Sequence, residues 1–297
     1  MHERSLKLRA GALELELAPA IGGAISGFRH ARIALLRETP EAAINARHFS
    51  CYPLVPFSNR IAGGRFTFAG NSYQLRRDPV TGGAHAIHGE GWQRDWSVAE
   101  ASRFSARLVL EHPGTEPGSW PFPFRAEQLF MLGETELTIT LVVTNTGTIP
   151  QPLGFGLHPY FPRHGGVSLG FHADAVWQND ADHLPSEGTS VPHEWDFSSP
   201  RMLEEPGLDN CFAGWPGTAE ITWPEGGRSL RISADRLFGH AVVFTPRGSD
   251  SFAFEPVSHM NDAINRMEIP GHGLVTLPPG GALSGTVRFR VDAAGSG

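Results

Sequence analysis

An all-β protein, built as one large antiparallel β-sandwich, is what three features of this 297-residue sequence predict. Glycine (35) and proline (24) make up about a fifth of the chain, against an ordinary share of roughly 12%. Neither suits a helix interior, where Gly costs about 1 kcal/mol and Pro about 3 kcal/mol relative to Ala. Short segments of alternating apolar and polar residues recur at the spacing of sandwiches and barrels. The chain is also 40% hydrophobic and 10% aromatic, enough to fill a core and to exclude a disordered polymer.

The elements follow in order. Leu13, Leu15 and Leu17 alternate with Glu14 and Glu16, so the leucines share one strand face. PEAAINARHF (40–49) is the one short helix candidate. RFTFAGNSYQL (65–75) reads as a hairpin turning at Gly70-Asn71. Trp92–His112, the longest stretch without Gly or Pro, reads as two strands, WSVAEA and ARLVLEH, joined by a polar turn. AEQLFMLGETELTITLVVTNTG (126–147) reads as two longer strands turning near Gly133-Glu134. VSLGFHADAVW, AEITW, SLRISA, HAVVFT, FAFEPV, GLVTL and LSGTVRFRV supply the remaining strands. No linker-like break or fixed-period repeat appears, so 1–297 reads as a single domain.

The bulk chemistry narrows the partners. A net charge of −7 argues against nucleic acid, which needs a basic face. Lys7 is the one lysine, a matter of codon usage. No run of 18 apolar residues is present, and MHERSLKLRA lacks the apolar core of a signal peptide. A cytoplasmic protein without a membrane span is the expectation. Cys51 and Cys211 could close one disulfide, but nothing suggests a stapled secreted framework.

Four segments place polar, chemically able residues where strand alternation does not explain them. In CYPLVPFSNRIAGG (51–64), prolines stiffen an irregular wall before Asn59 and Arg60, and Arg is a forked donor suited to oxygen ligands. In AHAIHGEGWQRDW (84–96), a His-Gly turn at His88 stands beside Trp92, whose flat ring can pack on the C–H face of a sugar. Trp96 reads as core packing. His85 and His88 lack a third ligand at metal spacing. In GFGLHPYFP (154–162), His158 ends an apolar strand beside Tyr160 and Phe161. In FAFEPVSHMNDAIN (252–265), Glu255 points to the face opposite Phe254. If desolvated, it could serve as a base near neutral pH. Asp209 in LDNCF is a weaker candidate, with an Asx-turn role as the alternative.

Taken in order, these segments resemble the aldose 1-epimerase (galactose mutarotase-like) family, from about Leu13 to Val291. The resemblance rests on NRIAGGRF (59–66), AIHGEGW (86–92), VTNTG with GLHPYF (143–147, 156–161), DNCF (209–212), and FEPVSHMNDAIN with LPPGG (254–265, 277–281). It implies the supersandwich form of the β-sandwich and a monosaccharide substrate, with no cofactor and no metal. It also implies that Glu255 is the general base and His158 the general acid. Arg60, His88 and Asp209 would then orient the sugar hydroxyls, with Asn59 and Trp92 beside them. Glu90 departs from the family's frequent His-Gly-Gly, and Pro256-Val257 follow Glu255 where other members carry polar residues.

The implied reaction interconverts α and β anomers. A base takes the anomeric hydroxyl proton, an acid protonates the ring oxygen, and the open aldehyde turns before reclosing. Each such acid or base typically contributes about 10²–10⁴-fold. Three other readings stay open at this level. A non-catalytic sugar-binding or sensing protein would need neither Glu255 nor His158. A hexose-phosphate epimerase would need further cations, for which Arg65, Arg76 and Arg77 are near in sequence. A glycosidase would use two carboxylates rather than a histidine.

Overall fold

The computed structural model describes residues 5–203, 207–225 and 227–293. Two large sheets dominate it, one of eleven strands and one of nine. Across the larger sheet the order is Leu6–Ala10, Leu13–Ala18, Ala24–His30, Cys51–Leu54, Gly156–Pro162, Ser251–Val257, His240–Phe244, Asp209–Ala213, Ala175–Asn179 and Pro185–Thr189, with Ile33–Ala34 off the path. The nine-stranded sheet includes the two hairpins expected at 96–112 and 126–147, formed by Ser97–Ala101 with Ser105–His112 and by Phe124–Leu132 with Glu136–Asn145. All pairings between these named strands are antiparallel. No described helix is long and apolar enough to cross a membrane.

Alternation builds the core as the leucine pattern predicts. Leu13, Leu15 and Leu17 are fully buried, whereas Glu14 and Glu16 between them are only partly so. The same logic sorts the central strands. Phe161, Phe252 and Phe254 face the space between the sheets. There Phe161 meets Phe289, its ring centroid 6.5 Å away, and Phe254 meets Phe171 at 5.0 Å. Their neighbours His158, Tyr160 and Glu255 take the opposite face. That face is covered too, since every residue of Gly156–Pro162 and of Ser251–Val257 is buried. Its cover comes from irregular segments between strands.

Three local expectations change, and the cysteines are packed as their surroundings suggested. PEAAINARHF forms no α-helix, only a single 3₁₀ turn at Ala46–His48, capped when Asn45 Oδ1 accepts from the Arg47 N–H. The preceding Pro40 and isolated apolar residues offer no stripe that packing could hold in a longer helix. The 65–75 hairpin turns one residue earlier than its Gly-Asn pair suggested. Phe68 pairs with Asn71, leaving Ala69 and Gly70 as the two turn residues, both with positive φ. VSLGFHADAVW is split between sheets, with Ser168–Phe171 in the smaller and Ala175–Asn179 in the larger. Cys51 and Cys211 are both buried and unpaired.

Candidate active site

Five adjacent strands of the larger sheet carry a row of side chains on its covered outer face. Tyr52 registers with His158, Glu255 with Val242, and Val242 with Cys211. His158 and Glu255 fall between the registered pairs Gly156–Val257 and Tyr160–Ala253, so they stand opposite each other. Each precedes a proline, which biases its own backbone toward the extended region a strand needs.

His158 Nε2 lies 3.2 Å from Glu255 Oε1. The two residues are only 4% and 2% exposed. Burial pushes the Glu255 carboxyl well above its ordinary range, with the Asp209 charge adding to it and Arg60 and Arg47 opposing. Burial likewise pushes the His158 imidazole well below its ordinary value, helped by His88, Arg37 and Arg47. Both directions favour a resting pair that holds one proton and no net charge. Glu255 Oε2 and His158 Nδ1 are buried without a hydrogen-bond partner among the described residues. Such atoms are costly unless a ligand or water completes them.

Aromatic rings hold the imidazole. Tyr52 stacks on His158 at 4.7 Å between centroids, and Tyr160 lies tilted at 4.5 Å. The Arg37 guanidinium sits 3.4 Å from the Tyr160 centroid and donates to the Phe49 carbonyl. His88 meets His158 edge-on at 5.3 Å.

Asn59 and His88 lock each other in place. The Asn59 N–H donates to His88 Nδ1 (3.1 Å), and the His88 N–H donates to the Asn59 carbonyl (2.9 Å). Both adopt positive φ, 57° and 60°, which non-glycine residues keep only when their surroundings impose it. Because Nδ1 accepts, the ring proton sits on Nε2, and burial with the nearby Arg47 and Arg60 charges keeps the ring neutral. His88 is therefore a fixed Nε2–H donor.

Arg60 reaches across the row. Its Nη2 donates to Asp209 Oδ2 at 2.9 Å, and its Nη1 to Asn59 Oδ1 at 3.3 Å. His183 Nδ1 lies 3.4 Å from the same Asp209 oxygen. The stretch after Glu255 holds this arginine. His259 Nε2 accepts from the Ser58 N–H, the Asp262 N–H donates to the Arg60 carbonyl, and Asp262 Oδ1 accepts from the Ala62 N–H. The first and last motifs thus form one clamp. Nothing in either motif alone could have revealed it, since about 200 residues separate each pair.

The structure brings Glu255, His158, Arg60, His88, Asp209 and Asn59 together. Trp92 is placed differently. It is 3% exposed, donates from Nε1 to the Ile87 carbonyl, and packs against Tyr52 as a wall behind the row. Trp96 is buried packing, as expected. Arg65 turns to Gln74, and Arg76 to Glu90 and Glu116, so neither gathers near Arg60. Glu90 faces away from the site and accepts from the Trp120 N–H and from Arg94. The sequence reading overlooked Arg47. It sits on the 3₁₀ turn, pairs with Asp78 at 2.7 Å, and lines with Arg60 a cavity of about 310 Å³. Its only signal was Asn45, two residues before it, placed to cap a turn.

Among the described residues no group of three or more His, Cys, Asp or Glu is arranged to hold a metal ion. What the arrangement offers chemically is a proton-sharing acid–base pair ringed by an Arg, a neutral His donor and a carboxylate.

Residues 5–290 match the aldose 1-epimerase family model. The chain belongs to that family. The uncharacterised Escherichia coli K12 protein YphB is 35% identical over 298 residues, covering 96% of this chain and 98% of YphB. A crystal structure of a candidate aldose 1-epimerase from Escherichia coli K12 superposes with a TM-score of 0.89 at 34% identity, covering 98% of this chain and 99% of that one. A galactose mutarotase-like protein from Clostridium acetobutylicum shares the fold at 17% identity and a TM-score of 0.84, over 97% and 95% of the two chains. Within the aldose 1-epimerase family this chain thus has the family's antiparallel β fold, with its polar row on the outer face of the larger sheet.

Proposed function

We propose that this protein is an aldose 1-epimerase that interconverts the α and β anomers of a free monosaccharide. The observation that carries the reading is the buried His158–Glu255 pair, with its Nε2 and Oε1 3.2 Å apart. A structural ion pair needs no unpartnered acceptor aimed past it, whereas Glu255 Oε2 has none of its bonds made.

In this mechanism the resting proton first crosses from Glu255 to His158, giving carboxylate and imidazolium. The polar sugar hydroxyls and the nearby Arg60 charge favour that ionic form over the dry resting pair. Glu255 Oε2 then takes the proton from O1, while His158 Nε2–H protonates O5 as the C1–O5 bond breaks. The aldehyde turns about C1–C2. On reclosure the O5 proton returns to His158 and Glu255 returns its proton to O1. The groups end as they began, so one site serves both directions. His88, Arg60 and Asp209 hold the remaining oxygens, with Asn59 fixing His88 and Trp92 backing Tyr52. The contiguous apolar core supports treating 1–297 as a single domain.

Polarimetry tests the reading. Freshly dissolved α-glucose or α-galactose should mutarotate faster with the purified protein than in buffer. Binding of an aldose without acceleration would instead favour a sugar sensor.

A further inference from the structure

Two loops meet over the outer end of the site. The first, Asp78–His85, follows the small hairpin, and its ends are tied by the Asp78 N–H to the His85 carbonyl at 2.8 Å. The second, Asp180–Leu184, is an Asx-type loop in which Asp180 Oδ1 accepts from the Asp182 and Leu184 N–H groups, both at 2.9 Å. Each loop is thus ordered internally. His85 joins them. Its Nδ1 accepts from the Gly63 N–H at 3.0 Å, so the ring proton sits on Nε2 and donates to the Asp182 carbonyl at 3.1 Å. The cavity of about 310 Å³ beneath is lined by Arg47, Arg60, Asp78, His85, Asp182 and His183, among others.

This volume is at the small end of ligand pockets, which run from roughly 300 to 1,000 Å³. Arg60 lines this cavity and its charge acts on the Glu255 carboxyl, which links the cavity to the His158–Glu255 pair. A sugar with C1 at the pair and its far side toward Arg60 would place C4 to C6 beneath the joined loops. We infer that the His85–Asp182 latch limits the substrate to a single sugar unit and makes His85 a specificity-determining residue. A reducing disaccharide would have to part the loops, whereas a monosaccharide fits beneath them. This inference rests on the proposed placement of C1.

Two measurements on the intact protein test it, namely equilibrium binding by calorimetry and mutarotation by polarimetry. The probes are glucose and galactose against the 4-linked disaccharides maltose and lactose. The unsubstituted protein should prefer the monosaccharides by about tenfold or more in both readouts. His85→Ala should admit the disaccharides and reduce that preference mainly through KM. His85→Gln keeps a donor for the Asp182 carbonyl and should restore the preference. If the unsubstituted protein takes both classes equally, or His85→Ala leaves the preference intact, the latch is refuted while the epimerase reading stands. If monosaccharides bind selectively but are not turned over, the latch stands and the epimerase reading fails.

Discussion

Glu255 and His158 face each other across neighbouring strands with Oε1 and Nε2 3.2 Å apart, and neither meets bulk water to any useful extent. Burial raises the carboxyl and depresses the imidazole, so both shifts disfavour the charged forms and the pair holds one proton between them.

Removing either member should therefore stop the reaction without unfolding the protein. Glu255→Gln and His158→Asn are each expected to slow mutarotation by about 10²–10⁴-fold. Circular dichroism should be unchanged, since both replacements keep polar shape in the same strands. If both variants match the unsubstituted protein in polarimetry, the pair is not the catalytic centre.

Asp209 and Arg60 should shift the pH–rate profile in opposite directions. The Asp209 charge raises the Glu255 carboxyl and the Arg60 charge lowers it. Asp209→Asn should move the acidic limb to lower pH, and Arg60→Gln should move it to higher pH. Both should also raise KM, because each removes a group that holds sugar oxygens. A profile that shifts the same way in both variants would contradict this assignment.

Acid should destabilise the clamp that holds Arg60. Burial is the main cause that lowers the His259 imidazole from 6.5 to about 4. A depressed value contributes stability that is present above pH 6.5 and lost as the pH falls toward 4, up to about 3 kcal/mol. His259→Gln can still accept from the Ser58 N–H but does not titrate. Its urea midpoint should depend less steeply on pH across this window, and an unchanged slope would assign the acid sensitivity elsewhere.

Gly89 should tolerate no side chain. Its φ is +69°, and an added Cβ would stand 2.2 Å from the Val55 carbonyl oxygen and 2.7 Å from Pro56 Cδ. Both contacts are with stiff atoms, so Gly89→Ala should cost roughly 2–4 kcal/mol in denaturant unfolding. It should also lower activity through the adjoining His88. Gly63, where an added Cβ meets nothing within 4 Å, provides the control for positive φ alone.

Much of the site was legible residue by residue. Glu255 was placed on the face opposite Phe254 by alternation, and the structure bears that out. His158 was expected at a strand end because Pro159 follows it, but the strand continues through Pro159 to Pro162 and places His158 inside it. What failed were inferences from neighbourhood in sequence. Arg65 and Arg76 are close to Arg60 along the chain, yet the hairpin and Glu90 hold them elsewhere. Trp92, whose ring was read as able to pack on a sugar, donates to the Ile87 carbonyl and backs Tyr52 from behind the row.

By itself the sequence determined the all-β class, most strand faces, and the identities of the polar groups, because those depend on local periodicity and on which residues bear usable chemistry. The tertiary structure alone decided that Tyr52, His158, Glu255, Val242 and Cys211 form one row, that the segment after Glu255 clamps Arg60, and that His85 joins two loops above it. Each of these is a pairing between strands or loops distant along the chain. Such pairings are set by packing and register across the whole sheet, which no local pattern encodes.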